Sequence, residues 1–78
     1  MITPDLKIDC FGLLCPMPIF KTAEAVKKMS LNEVIEVLAT DIAIKQDMVA
    51  WCKATGNELL GIEEELGEYR AYVRKRED

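Results

Sequence analysis

The feature that most constrains the fold is a short, nearly continuous apolar run at residues 34–39, near the middle of the sequence. The run is rich in β-branched side chains, which is typical of a central, buried strand. The chain has 78 residues, enough for one domain with a thin core and no more than two packed layers. We therefore expect a single domain over residues 1–78, with this strand at its centre.

The flanking segments predict two helices and three further strands, in the order βαβαββ. The helical patterns span about residues 16–29 and 40–55, and the strand patterns span residues 6–10, 58–64 and 69–74. The 58–64 segment carries Leu60 and Ile62 on one side, and the chain should end in a charged tail from Lys75 to Asp78. Each helix carries one apolar stripe, formed by Ile19, Ala23 and Val26 in the first and by Ile44, Met48 and Trp51 in the second. Because βαβ crossovers are right-handed, both helices should cover one face of a four-stranded mixed sheet. The predicted fold is a two-layer α/β sandwich whose other sheet face is open to solvent.

The stretch between the first strand and the first helix holds two of the three cysteines and two of the three prolines. Gly12 allows the chain to turn out of the strand. Pro16 and Pro18 suit the first turn of a helix, where the missing N–H has no partner to lose. Cys15 is thus expected at or beside the N-cap, with its sulfur near free backbone N–H groups whose partial positive charge favours a thiolate.

The composition excludes several kinds of site. The sequence contains no histidine, so imidazole ligands, histidine bases and a Cys–His catalytic pair are impossible within this chain. The three cysteines form no Cys-x-x-Cys pair, and their spacing fits neither a zinc site nor a disulfide framework. The net charge of −4 argues against direct nucleic-acid binding. We expect no metal and no bound cofactor.

The expected location is the cytoplasm. The first residues lack the apolar core of a signal peptide, and no apolar run approaches the length that spans a membrane. An odd number of cysteines without a disulfide pattern fits a reducing compartment in which thiols stay free.

Two interpretations of Cys15 compete. A cysteine at a strand-to-helix turn is often a small buried hydrophobe. The two prolines favour a reactive role instead, because they make the turn rigid and hold the sulfur in place. With no nearby base, activation would come from the helix terminus and from Lys21 and would be modest. Such a thiolate suits the acceptance and transfer of a group better than a hydrolytic mechanism.

The pattern Asp9-x-x-Gly12-x-x-Cys15-Pro16-x-Pro18 resembles the signature of the TusA/SirA-like sulfur-carrier family. The similarity covers nearly the whole chain, including its length and its order of elements. It implies a carrier of persulfide sulfur rather than a stand-alone enzyme, and a sulfurtransferase-like protein if it is classed as an enzyme. The implied partners are a protein donor, a cysteine desulfurase or rhodanese-like protein, and a protein acceptor. The implied pathways are 2-thiouridine synthesis in tRNA or another branch of sulfur or selenium metabolism.

The resemblance also suggests roles for individual residues. Cys15 would carry the persulfide, Pro16 and Pro18 would shape the loop, and Gly12 would permit the turn. Asp9 would fix the loop by hydrogen bonding. A second acidic segment, with Asp41 and Asp47, also resembles the family, although Ile42 stands where proline is common and the helix is expected to begin differently. Helix capping and a solvated surface are equally open for both acids.

Two alternative functions stay open. Cys10 could resolve an oxidised Cys15 into a disulfide, which would make the protein a thiol-disulfide redox protein. Its alternation with Leu6 and Ile8 favours a buried position, and Cys52 is likewise expected in the core. The open sheet face could instead make the protein a regulatory or RNA-binding module, through Arg70, Tyr72 and Arg74.

Overall fold

The computed structural model describes residues 2–76 and contains four strands and two helices in that range. The elements are β1 (Leu6–Cys10), α1 (Met17–Lys27), β2 (Val34–Ala39), α2 (Ile44–Thr55), β3 (Glu58–Glu65) and β4 (Glu68–Arg74). The strands form one sheet in the order β1-β2-β4-β3. β1 runs parallel to β2, whereas β4 runs antiparallel to both of its neighbours. The predicted two-layer sandwich with a mixed sheet is confirmed.

β2 lies in the middle of the sheet, as its composition predicts. It pairs with β1 on one side and β4 on the other, and Ile35, Val37 and Ala39 are fully buried beneath the helices. The core cluster combines these residues with side chains from both helices and β4. Both helices therefore cover the same face of the sheet. The strand order makes β1 and β3 the two edge strands.

The buried stripe of α1 differs from the prediction. Pro18, Thr22 and Val26 are buried, whereas Ile19 is only partly buried and the neighbouring Phe20 is 59% exposed. Thr22 can lie in the core because its hydroxyl donates a hydrogen bond of 2.7 Å to the Pro18 carbonyl. A pattern of apolar residues alone misses a threonine whose hydroxyl is hydrogen-bonded. The sequence therefore predicted Ile19 and Ala23 in the stripe, each one position after the buried Pro18 and Thr22.

α2 begins later than the sequence predicts. Its first residue is Ile44, not Thr40 or Asp41, and the two polar residues lie in the preceding loop. Ile44, Met48 and Cys52 form the buried stripe, with Trp51 partly buried at its edge. The helix ends as predicted at Gly56, whose φ of 83° allows a left-handed cap.

The last two strands form a hairpin with a tight turn. Leu66 and Gly67 are the two turn residues, and both have positive φ, at 52° and 79°. This is the backbone of a type I′ turn. The register shifts between Leu59 and Gly61, so Leu59 and Ile62 face the core. The prediction that Leu60 and Ile62 lie on one side of this strand was therefore wrong, because the bulge at Leu60 separates them.

The sheet face away from the helices is covered by its own ionic contacts. Glu36 lies at its centre with a side chain only 8% exposed. The Tyr72 hydroxyl donates to Glu36 over 2.6 Å, and the Lys7 ammonium lies 3.3 Å from the other carboxylate oxygen. Arg70 pairs with Glu63 and Glu65, and Arg74 pairs with Glu58, at 3.5–3.7 Å. These contacts neutralise most of the face internally.

The chain beyond β4 was expected to be a charged tail, and Lys75 departs from that expectation. Its side chain is buried, and its ammonium donates a hydrogen bond of 2.7 Å to the Met29 carbonyl. Lys75 therefore joins the end of β4 to the end of α1. Residues 77 and 78 of the same predicted tail lie outside the described residues. Within residues 2–76, neither helix has the length and apolarity that a membrane crossing needs.

The Tyr72–Glu36 hydrogen bond generates a test of stability. Tyr72→Phe should lower the free energy of unfolding by about 1–2 kcal/mol, because it removes a donor from a buried carboxylate. The bond to Glu36 also raises the pKa of Tyr72 to about 12 from 10.0. Between these values the unfolded chain loses the phenolic proton first, so wild-type stability should fall as pH rises.

Urea denaturation between pH 7 and 11 measures both effects. Arg74→Gln is the matched control on the same face, and its exposed pair should cost less than about 0.5 kcal/mol. Equal stability of Tyr72→Phe and wild type at pH 7 would contradict the structural role of the bond.

Candidate functional site

The candidate site lies where the parallel strands β1 and β2 end side by side. Cys10 and Ala39, their last residues, are paired in the sheet. The loops that follow them therefore leave from the same sheet edge, where ligand sites of open α/β sheets commonly form. The first of these loops, residues 11–16, contains the cysteine-proline motif, and the second, residues 40–43, contains the acidic segment.

The first loop is a compact turn built on Gly12. Gly12 has a φ of +80°, a conformation that residues with a Cβ resist. Asp9 accepts a hydrogen bond of 2.9 Å from the Phe11 N–H, which closes the turn, as its expected loop-fixing role requires. The Gly12 N–H donates over 2.9 Å to the hydroxyl of Thr40, so the second loop holds the first in place.

Cys15 is exposed just before α1, but the helix does not present free donors to its sulfur. Pro16 is the N-cap and Met17 the first helical residue, so Cys15 lies one position outside the cap and Pro18 lies within the first turn. The Met17 N–H bonds to the Leu14 carbonyl, and the Ile19 N–H to that of Pro16, at 2.9 and 3.1 Å. The peptide between Cys15 and Pro16 is cis. The expectation that these N–H groups stabilise a thiolate was wrong, because they are already used.

The acidic segment surrounds Cys15 instead. Asp41 accepts hydrogen bonds from the backbone N–H of Cys15 at 2.8 Å and of Ala43 at 3.0 Å. These two donors lower the pKa of Asp41. Asp47, in the first turn of α2, accepts a hydrogen bond from the sulfur of Cys15. The structure thus brings together Cys15, Asp41 and Asp47, and explains why Asp41 does not cap α2.

The electrostatics of Cys15 are the reverse of those expected from the helix terminus. The hydrogen bond to Asp47 raises the pKa of Cys15, and the negative charges of Asp47 and Asp41 act in the same direction. Lys21, the expected activating cation, acts on Cys10 rather than on Cys15. The resting state of Cys15 at neutral pH is therefore the thiol, held against a carboxylate.

The other two cysteines lie in the core, as the packing hypothesis predicts. Cys10 is fully buried and Cys52 is 5% exposed, and both are free thiols. Burial raises the pKa of both, to about 11 for Cys52. Cys10 is enclosed in the core, whereas Cys15 is exposed, so the two thiols lie in different environments. The resolving role of Cys10 stays a prediction.

Sequence reasoning missed an apolar surface around Cys15. Four large hydrophobic side chains from the two loops and the start of α1 are exposed by 39–72%: Phe11, Leu14, Met17 and Ile42. Their position in turns next to a motif, outside any apolar stripe, was the available signal. Exposed apolar side chains are informative where they form a contiguous patch, because such patches are typical of contact surfaces.

Two further kinds of site were considered from the sequence: a metal site and a binding surface on the open sheet face. No group of three or more cysteine, aspartate or glutamate side chains within residues 2–76 is placed to hold a metal ion. Arg70, Tyr72 and Arg74 lie on the open sheet face as predicted, but their polar groups are engaged by carboxylates. These ion pairs compete with any contact to RNA, and the RNA-binding alternative stays a prediction.

The fold and site define a class of small α/β proteins that present one exposed cysteine at the start of a helix, beneath a second acidic loop. The family model described as "Sulfurtransferase TusA" matches residues 6–75 of this chain. The chain belongs to the TusA family.

Individual relatives agree with this assignment. The sulfur carrier protein TusA of Allochromatium vinosum is 38% identical over 71 residues, which cover 91% of this chain and 93% of that protein. The putative sulfur carrier protein YrkF of Bacillus subtilis is 43% identical over 75 residues. A putative sulfur carrier protein of Aquifex aeolicus is 38% identical over 74 residues.

The region matched in the Bacillus relative covers 96% of this chain but only 40% of that protein. The region matched in the Aquifex relative covers 95% of this chain but only 38% of that protein. It thus spans about two fifths of the length of these two proteins. A solved structure of a SirA-like protein from Desulfitobacterium hafniense superposes with a TM-score of 0.78, at 20% identity, covering 92% of this chain and 99% of that one. This likeness confirms the fold.

The turn at Gly12 generates a prediction about backbone strain. An added Cβ at Gly12 meets nothing within 4 Å, so the cost of Gly12→Ala comes from its φ of +80° alone. We expect a loss of about 1–2 kcal/mol in the free energy of unfolding. Gly61→Ala is the matched control, because that site is equally open and has no positive φ. Similar losses for the two variants in urea denaturation would contradict the strain argument.

Proposed function

We propose that this protein is a sulfur carrier that holds sulfur as a persulfide on Cys15. The observation that carries the proposal is the exposed sulfur of Cys15, held at a turn that is anchored from two sides. The backbone of Cys15 is bound by Asp41 and the preceding turn by Thr40, so the position of the sulfur is set by the fold. Membership of the TusA family and the sulfur-carrier relatives support this role.

The transfer itself is a thiol–persulfide exchange. The sulfur of Cys15 attacks the terminal sulfur of a donor persulfide, the S–S bond of the donor breaks, and the donor leaves as a thiolate. The reverse exchange passes the sulfur to an acceptor. The chain has no histidine, and its cysteine is poorly ionised, so the partners supply most of the driving force. The persulfide is the carried group, and no bound cofactor is needed.

The proposed partners are proteins. A cysteine desulfurase or a rhodanese-like protein would serve as donor, and a sulfur-relay protein as acceptor. Phe11, Leu14, Met17 and Ile42 are exposed on the two loops and the helix start that flank Cys15, and exposed apolar side chains suit a protein contact better than a nucleic acid. The end use proposed for the sulfur is 2-thiouridine synthesis in tRNA or another branch of sulfur metabolism, through those proteins.

Radiolabelled sulfur tests the proposal directly. The protein is incubated with a cysteine desulfurase and labelled cysteine, and separated without reductant. Wild type should gain label and the mass of one sulfur atom, whereas Cys15→Ser should gain neither. Label on Cys15→Ser, or none on wild type with several desulfurases and a rhodanese, would overturn the proposal.

The buried cysteines provide the matched controls. Cys10→Ala and Cys52→Ala remove thiols that lie in the core, and both variants should load sulfur as wild type does. Because each change leaves a small cavity, circular dichroism confirms folding before the assay. A dependence of loading on Cys10 would instead favour the redox function, and mass spectrometry after mild oxidation would then show a Cys10–Cys15 disulfide.

A further inference from the structure

We propose that Asp47 is a catalytic residue of this carrier: its carboxylate holds the Cys15 proton in the resting protein and takes it when the sulfur attacks a donor persulfide. The proton transfer during attack on a donor rests on the proposed function. The other part of the inference, that the carboxylate keeps the free protein unreactive, concerns the protein alone.

The geometry distinguishes Asp47 from Asp41. Both oxygens of Asp41 accept backbone hydrogen bonds, one from Cys15 and one from Ala43, so its carboxylate positions the loop. Asp47 receives the Cys15 sulfur itself, and its place in the first turn of α2 is set by its backbone bond of 2.9 Å to Ala43. Asp47 is therefore the acid whose carboxylate contacts the reacting atom.

The charges that act on Cys15 are those of Asp47 and Asp41, one from α2 and one from the loop before it. Both are negative, and no compensating effect of a lysine accompanies them. A thiol in this setting reacts slowly with small electrophiles and oxidants, since the thiolate is the nucleophile. The exposed sulfur is thus protected in the free protein even though nothing covers it.

The exchange balances with Asp47 as the proton acceptor. As the new bond forms between Cys15 and the terminal sulfur of the donor, the Cys15 proton moves to the carboxylate. The donor S–S bond breaks, and its electron pair leaves with the donor thiolate. That thiolate then takes the proton from Asp47. The terminal sulfur keeps its own proton throughout, and no oxidant or reductant is consumed.

Asp47→Asn separates these two roles, because asparagine keeps the shape but loses the charge and the ability to take a proton. Alkylation of the free protein by iodoacetamide at pH 7.5 should become faster at Cys15, on the order of three- to tenfold. Sulfur loading from a desulfurase should become slower, by roughly tenfold. The two changes have opposite signs, which a purely structural role of Asp47 would not produce.

The pH profile of alkylation and one control complete the experiment. The midpoint for Cys15 should move to lower pH in Asp47→Asn, as read by peptide mass spectrometry. Glu24→Gln, an exposed change of the same charge on α1, should match wild type in both assays. An unchanged alkylation midpoint in Asp47→Asn, or loading as fast as wild type, would overturn the proposal. If wild type never loads sulfur, the proposed function fails while the alkylation profile still decides the protective role.

Discussion

The structure depends on the hydrogen bonds that join the loop after β2 to the loop after β1. Thr40 and Asp41 bind the backbone of Gly12 and Cys15, while Asp47 binds the sulfur. These contacts exist because β1 and β2 are parallel neighbours, so that their carboxyl ends meet at one sheet edge. A strained glycine turn before a short helix would otherwise have few partners. The segment after β2 thus converts a flexible loop into a fixed presentation of one sulfur.

The same contacts determine how reactive that sulfur is. An N-terminal helix position would ordinarily favour a thiolate, but here the backbone donors are used within the turn and two carboxylates face the thiol. The balance favours the protonated form. Low intrinsic reactivity would suit the proposed carrier role, because a carrier must react with its partners and with little else. The exposed apolar residues of the two loops and the start of α1 are the surface proposed for such a partner.

The two faces of the sheet have different roles in this arrangement. One face supports the helices and positions α2, and hence Asp47, through Ile44 and Met48. The other face neutralises its charges internally around Glu36 and Tyr72. Its arginines pair with carboxylates on the same face, although their spacing in the sequence suggested a binding surface. The candidate site lies at one end of the sheet, where the two parallel strands β1 and β2 end.

The order of elements, the central strand, the open face and the position of Cys15 before a helix followed from local patterns, because side-chain periodicity and turn residues act over a few neighbours. Gly12 and Asp9 were predictable for the same reason. The burial of Thr22, the bulge at Leu60 and the role of Lys75 were not, since each depends on a partner or register supplied by another element. The same holds for the site. The sequence alone determined that a cysteine is presented before a helix. The tertiary structure decided that two carboxylates act on it and favour its protonated form, because Asp41 and Asp47 reach it only when the ends of β1 and β2 lie side by side.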